Sequence, residues 1–416
     1  LAEISNFQHY EFLLPQTVAD GFVALQAETI HLGTNADFTV DFEGGYSSLL
    51  PGDTITLLNA TAIDGNIVPG EKEGNIGYLF LYNYEVSKVG DEIIATVATA
   101  PRVIPEVKII TETSAARLAF VNQGQDFIAD QAIALAKSRS ATERGLGVFV
   151  GVSGGKSRYD TGSHVDLSGV NTIIGVSRSN YFDQNRLTVG VFGEFGFGSY
   201  ESFVPSAGNR DMKAEGDVSY VGGGVLGRYD IQSSAGTVYL EASGRIGNSK
   251  AEFLDKTFVL QGRRAKFDTS GTYFGAHAGV GYDMRASEEI SLDVFFKYLW
   301  SRQNSTDQDI LGAKFTLDEA YSSRIKTGVR VNYNYNDFIK PYVGGSYVYE
   351  FAGDTEASAY GLNLPHAELK GSSAQAELGV TLLNSDTLPI SLDAGVQGYF
   401  GHRRGMSGSL DIKYEF

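Results

Sequence analysis

Ser407-Gly408-Ser409-Leu410-Asp411-Ile412-Lys413-Tyr414-Glu415-Phe416 puts an apolar side chain at every second position: Leu410, Ile412, Tyr414 and Phe416. Ser409, Asp411, Lys413 and Glu415 alternate with them. A β-strand turns successive side chains to opposite faces, so the stretch reads as a strand with one wholly apolar and one charged face. In a soluble sheet the apolar face would meet a core. What it meets here is decided by the chain upstream.

The same period of two recurs from residue 147 onward. In residues 290–301, Ile290, Leu292, Val294, Phe296, Tyr298 and Trp300 share one face, with Ser291, Asp293, Lys297 and Ser301 on the other. Residues 324–333 set Ile325, Val329, Val331 and Tyr333 against Arg324, Lys326, Arg330 and Asn332. Residues 187–197, 238–246, 274–282, 341–351, 374–382 and 390–400 follow the rule. Residues 148–152 and 221–229 are richer in glycine, and the register of 166–177 is not legible. With the final stretch this makes about twelve strands, an even number. The charged faces would not form a dry core, so they are assigned to a hydrated lumen and the apolar faces to lipid. Short turns near 183–185, 232–236, 286–289, 335–337 and 385–388 alternate with long loops near 201–216, 248–271, 304–321 and 354–371. That is the asymmetry of periplasmic turns against outer loops.

Composition narrows the choices. The chain has 416 residues, with 50 glycines, 9 prolines, 12% aromatics and no cysteine, and is long enough for more than one domain. It is too apolar for disorder, and the missing cysteine excludes a disulfide scaffold or thiolate zinc sites. A net charge of -17 with no basic block argues against nucleic acid. No run of 18 apolar residues offers a membrane helix, so a membrane protein with this sequence must be a closed barrel. The chain opens on Leu1 without a signal peptide and is read as an excised or processed fragment.

Ahead of the barrel the period changes. Over residues 113–137, Leu118, Val121, Ile128, Ala132 and Leu135 recur at helical spacing, beside a polar stripe of Gln123, Asp126, Asp130 and Lys137. Thr113 or Ser114 is placed to cap the start. About 25 residues rise ~37 Å, enough to cross the ~25 Å apolar band of an outer-membrane barrel. Arg117, Asp126 and Asp130 forbid a lipid-facing position, so the helix is expected to span the pore. Residues 1–110 read as short strands (38–42, 54–58, 78–84, 92–97) between turns at Pro51-Gly52-Asp53, Asp64-Gly65-Asn66, Pro69-Gly70 and Val89-Gly90-Asp91, and 100–105 as a connector.

On these residues the chain resembles the translocator end of an autotransporter (type V secretion) with part of its passenger attached. The terminal alternation Leu410, Ile412, Tyr414, Phe416 resembles the closing strand of outer-membrane barrels, which the barrel-assembly machinery reads as a signal. Asn6-Phe7-Gln8-His9-Tyr10-Glu11-Phe12-Leu13-Leu14-Pro15 and Gly52-Asp53-Thr54-Ile55-Thr56-Leu57-Leu58 resemble the end of a β-helical, autochaperone-like passenger. Ala115-Ala116-Arg117-Leu118-Ala119-Phe120-Val121-Asn122-Gln123-Gly124-Gln125 resembles the linker of members that are uncleaved or cleaved outside the pore. Self-cleaving members carry an Asn-Asn pair in the pore, whereas Asn122 is followed by Gln123 and no Asn-Asn occurs in this chain. The resemblance implies a mainly β protein. A β-rich passenger end (1–110) and a pore-spanning linker helix (111–145) would precede an antiparallel barrel of about 12 strands (146–416). It also implies a monomer in the bacterial outer membrane with its passenger stub at the cell surface. Expected partners are that passenger, outer-membrane lipid and lipopolysaccharide, the barrel-assembly machinery and periplasmic chaperones, with no nucleic acid.

Motifs for catalysis are weak. Gly151-Val152-Ser153-Gly154-Gly155 matches a nucleophile elbow, and Gly222-x-Gly224-x-x-Gly227 a dinucleotide fingerprint, but both fall on strands with no helix following. His9, His31, His164, His277, His366 and His402 lack metal-ligand spacing, and His277 should face the lumen. Asp307 and Asp309 read as solvated loop acids rather than a calcium site. No catalytic residue, metal or cofactor is expected. The lumen carries more content. Lys297, Arg324, Lys326 and Arg330 form a basic sector, and Glu350, Glu377, Asp393, Asp411 and Glu415 an acidic one. Together they would hold the pore helix, with Arg117, Asn122, Gln123, Asp126 and Asp130 along it, through paired charges to Asp126, Asp130 and Arg117. The expected role is that of a translocator and anchor without a bond-making step. The other reading is an outer-membrane enzyme or diffusion porin, and bilayer conductance separates the two.

Overall fold

A computed structural model describes residues 1–44, 46–137, 144–205, 211–260, 263–382 and 390–415. The chain begins with nine strands: β1 (Glu3–Ser5), β2 (His9–Leu14), β3 (Phe22–His31), β4 (Asp37–Phe42), β5 (Thr54–Asp64), β6 (Gly70–Ile76), β7 (Phe80–Val89), β8 (Glu92–Val97) and β9 (Arg102–Val103). β1, β3 and β5 pair in parallel, as do β2, β4 and β6, so successive strands climb opposite faces of a coil. β7 and β8 then turn antiparallel and join the two faces. Alternating Phe38, Val40 and Phe42 on β4 meet Phe80, Tyr82 and Tyr84 of β7 in the core. The strand expected over 54–58 runs on to Asp64, and 100–105 is no free connector, because β9 pairs with β7.

Pro105 opens a 3-10 turn, Pro105–Val107, which leads into α1 (Lys108–Phe127), a π-helical segment Ile128–Ala132 and α2 (Ile133–Ala136). The helix therefore starts before Thr113 and Ser114, which are buried inside α1 and cap nothing. Proline's fixed φ suits a first turn, and it supplies the start signal that a hydroxyl was expected to give.

The barrel chain follows as β10 (Arg144–Asp160), β11 (His164–Phe182), β12 (Asn185–Val204), β13 (Met212–Ser233), β14 (Gly236–Leu260), β15 (Arg263–Arg285) and β16 (Ile290–Gln303). A hairpin of β17 (Thr306–Ile310) and β18 (Ala313–Leu317) precedes β19 (Ala320–Tyr333) and β20 (Ile339–Glu350). Four short strands, β21 (Asp354–Thr355), β22 (Ala357–Ala359), β23 (Leu362–Asn363) and β24 (Ala367–Glu368), lead to β25 (Gly371–Leu382), β26 (Ile390–Gly401) and β27 (Arg403–Glu415). Twelve of these, β10–β16, β19, β20 and β25–β27, close into an antiparallel barrel, with β27 paired to β10 from Gly147↔Glu415 to Tyr159↔Arg403. Leu410, Ile412 and Tyr414 are 53%, 43% and 41% exposed, against 1% and 3% for Asp411 and Lys413. The apolar face is therefore the outer one. On β11, whose register the sequence left open, Ile173 is buried in the lumen and Ile174 is exposed outside. Phe416 and the turn expected at 385–388 lie outside the described residues.

The loops expected at 201–216 and 248–271 are largely strand. β12–β15 run 20, 22, 25 and 23 residues. About 9–11 residues suffice to cross a bilayer, so these strands continue into water. There the alternation inverts. Val204, Met212, Ala214, Phe253, Ala265 and Phe267 are buried inside, while Glu201, Lys213, Glu252 and Lys266 face out. A reading tuned to apolar-outside strands registers that inversion as loop. The inward residues share one core with the first nine strands, with Ile109 and Ile110 of α1, and with Ile310, Phe315 and Leu317 of the β17–β18 hairpin. Tyr46 stacks on Tyr360 at 5.4 Å, and the Tyr78 hydroxyl donates to Asp255. Among the described residues no helix is long and apolar enough to cross a membrane.

Candidate functional site: the helix in the lumen

α1 enters the barrel at the end where the strands are longest and runs down the lumen. Its first turns are tied by hydroxyls. Lys108 Nζ donates to the Thr161 carbonyl at 2.6 Å. Glu112 accepts from Thr161 Oγ1 at 2.8 Å and from the hydroxyls of Ser163 and Ser202. Arg117 is buried against β15 and β16, where Nε donates to Gln303 Oε1 at 2.9 Å and Nη1 to Thr269 Oγ1 at 3.2 Å. No carboxylate pairs with it among the described residues, so the expected match of Arg117 to an acidic sector does not form. The wall facing it at that level offers amide and hydroxyl oxygens instead.

One turn further, amides replace charges. Ser301 Oγ donates to Asn122 Oδ1 at 2.9 Å and to Gln125 Oε1 at 2.7 Å, while Asn122 Nδ2 donates to Ser322 Oγ at 3.0 Å. Gln123 Nε2 reaches the Tyr159 hydroxyl at 3.0 Å, and Arg245 Nη1 the Val121 carbonyl at 3.1 Å.

The carboxylates come next. Asp126 takes Arg324 Nη1 at 2.6 Å and Arg403 Nη1 at 3.1 Å. Asp130 takes Lys326 Nζ at 2.6 Å and lies 3.8 Å from Lys297 Nζ. Lys297 also donates to the Ala129 carbonyl at 2.5 Å. The π segment explains that contact. Ile133 N–H bonds the Ile128 carbonyl, five residues back, which leaves the Ala129 carbonyl without its helical partner and open to the lysine. At the far end Lys413 Nζ donates to the Lys137 carbonyl at 2.7 Å and the Ala136 carbonyl at 3.4 Å, covering two orphan acceptors of the last turn.

Three of the four expected wall cations thus meet the helix. Arg330 instead forks onto Glu377 at 2.7 and 2.9 Å. Glu350 accepts from Ser322 Oγ at 2.5 Å and from the Ser323 N–H at 2.7 Å, with Arg324 Nε 3.7 Å away. These two acids settle the wall rather than grip the helix. Arg403 and Arg245 were missed, and Lys413, placed by alternation on the charged face of the last strand, was given no contact with the helix. Alternation alone would have marked Arg403, which shares the inward face of β27 with Asp411 and Lys413. Below them Glu241 gathers Lys297 (2.9 Å), Arg228 (3.3 Å) and His277 (3.3 Å), and Asp230 holds Arg186 (2.7 Å) and Arg228 (2.9 Å). His277 lies in the lumen, with Nδ1 3.3 Å from Ser243 Oγ.

The plug is off-centre. α1 packs chiefly against β11–β14, and small cavities remain on the opposite side. One is lined by Asp126, Tyr159, Arg324, Glu350 and Gln375, another by Asp130, Gln131, Asn171, Gln397 and Ser407. Arg403, stacked 3.6 Å over Tyr399 and bonded to Asp126, lines both. Ser153 sits mid-strand in register with Asn171 and Ser409, and Gly222, Gly224 and Gly227 lie along β13, so neither motif has its catalytic frame. Among the described residues no group of three metal-ligating side chains exists.

Residues 145–395 match the family model of the autotransporter β-domain. Among solved structures, the translocator domain of the autotransporter NalP from Neisseria meningitidis superposes with a TM-score of 0.54 at 13% identity, covering 73% of this chain and 98% of that one. The transport unit of AIDA-I from Escherichia coli gives 0.48 at 16% identity over 76% and 100%. The β-domain of Bordetella BrkA gives 0.48 at 14% identity over 65% and 99%. Among curated proteins none matches this chain in sequence.

Proposed function

Because this chain belongs to the autotransporter family, we propose that its lumen helix is both the resting plug of a translocator and the tether of what has passed through it. The barrel is the outer-membrane translocator that exports the passenger carried on its amino-terminal side. We divide the chain into a passenger end (1–110), a linker helix (111–145) and the translocator (146–416). One observation carries the plug: Asp126 and Asp130 of the helix are each held by wall cations, Arg324 with Arg403 and Lys326 with Lys297. Arg117 adds guanidinium hydrogen bonds to neutral acceptors, and Asn122 and Gln123 add amide ones, which fix the helix in register. Leu410, Ile412 and Tyr414 serve, with Phe416, as the strand presented to the barrel-assembly machinery after delivery by periplasmic chaperones. The barrel works as a monomer in outer-membrane lipid and lipopolysaccharide and makes no bond. Deleting residues 113–137 raises single-channel conductance in planar bilayers severalfold. Unchanged conductance would sink the plug.

A further inference from the structure

The outer wall carries exposed aromatics, among them Phe197, Tyr349, Phe351 and Phe400. At the seam where β27 closes on β10 the outer face has a gap in the register row of Phe197. Following the register from Phe197, the outward positions are Val170 on β11, Gly154 on β10, Gly408 on β27 and Val396 on β26. Two adjacent strands there carry no side chain at all. The result is an apolar groove on the lipid face, flanked by Val152, Leu378 and Leu410.

Directly above the groove stand three cations. One register row up is Lys156, paired with Met406, and two rows up are Arg158 and Arg404, paired with each other. All three are exposed, Arg404 at 60% of its side chain. Lys156 makes no ion pair among the described residues. Arg158 is held upright by a two-point bond to Asp166 at 2.6 Å, and Asp160 is 4.0 Å from Arg404. Asp166 and Asp160 face Arg158 and Arg404, Glu201 stands one strand further off in register with Asp166, and Lys156, nearest the groove, keeps its positive charge without an ion pair among the described residues.

An apolar groove with cations on the adjoining rows describes the shape of an amphiphile with a phosphate head and acyl tails. We propose that the barrel seam binds a phosphorylated lipid of the outer leaflet, its phosphate on Lys156, Arg158 and Arg404 and one acyl chain in the groove over Gly154 and Gly408. The proposal rests on the barrel crossing the outer membrane, which heat-modifiable migration of the folded chain tests separately.

Full-length chain folded in detergent is titrated with a bisphosphorylated, multiply acylated glucosamine disaccharide, and binding is followed by native mass spectrometry. The double variant Lys156→Gln/Arg404→Gln leaves the Arg158–Asp166 pair intact and should bind about tenfold more weakly. Gly408→Leu fills the groove without altering charge and should also weaken binding. A Cβ at Gly408 meets nothing nearer than the Gly395 carbonyl at 3.7 Å, so a side chain can be added there without a backbone clash, and heat-modifiable migration checks that the variant folds. Inorganic phosphate should not displace the lipid. Equal binding by wild type and the double variant, equal binding of the dephosphorylated lipid, or displacement by inorganic phosphate would each overturn the proposal.

Discussion

Asp126 accepts guanidiniums from two strands that lie far apart in sequence, and a single atom change tests it. Asp126→Asn leaves Arg324 and Arg403 facing a neutral amide in a largely enclosed site. Removing one member of a buried pair costs about 3–5 kcal/mol because the other charge stays behind. The loss should appear as more frequent openings in single-channel records, with heat-modifiable migration unchanged. Asn122 makes a second test. Its amide is held at both ends, by Ser301 and Ser322, so the side-chain nitrogen is turned to the wall and not to its own carbonyl. Purified folded protein should run as one band of full mass, and release of a fragment ending near Asn122 would contradict this. Asp41 gives a pH test outside the membrane. Burial holds its carboxyl above the ordinary carboxylate range, although the Asn75 N–H donates to it at 2.7 Å. A raised folded value means that its contribution is complete below the unfolded value and is lost as pH rises through the raised one. Protease resistance of the first nine strands should therefore decline from acid towards neutral pH, and Asp41→Asn should flatten that slope. Charge types and inward positions were legible in the sequence for Arg324, Lys326, Asp126 and Asp130. The bond from Lys297 to a backbone carbonyl was not, since it depends on a helix changing its hydrogen-bond step at Ile128.

At the scale of elements, alternation placed twelve strands where the barrel has them, and helical spacing found α1. Misreadings occurred where surroundings changed. Apolar-outside strands become apolar-inside strands once they leave lipid, so β12–β15 were cut short at the membrane edge. What covers their inner faces is the first nine strands, and this interdependence is testable. Phe267 lies with its ring 4.8 Å from Phe253 and 5.2 Å from Phe315 in the shared core. Phe267→Ser should cost about 3–5 kcal/mol there, as large-to-small core changes do. On intact cells, residues 1–97 should become sensitive to added protease, while the membrane barrel keeps its heat-modifiable shift. Resistance equal to wild type would show that the two parts hold themselves up independently.

For the whole molecule, the sequence conveyed the class of architecture because two solvents impose two periods, and the order helix-then-barrel followed from where the period switched. It could not convey that the plug would lie to one side, because that is set by packing summed around the lumen: Phe120, Tyr220 and Tyr273 close an apolar contact on the β11–β15 side, while polar side chains and small cavities occupy the other. The overlong strands have one more consequence, and it concerns altitude. A strand of 25 residues, Gly236–Leu260, is about 80 Å long, and tilted by about 40° it rises about 60 Å against a lipid band of ~25 Å. On the β12–β15 side the wall is thus a mast that overtops its roof by tens of ångströms. What is exported sets out from the top of that mast, and its reach towards another surface is counted from there.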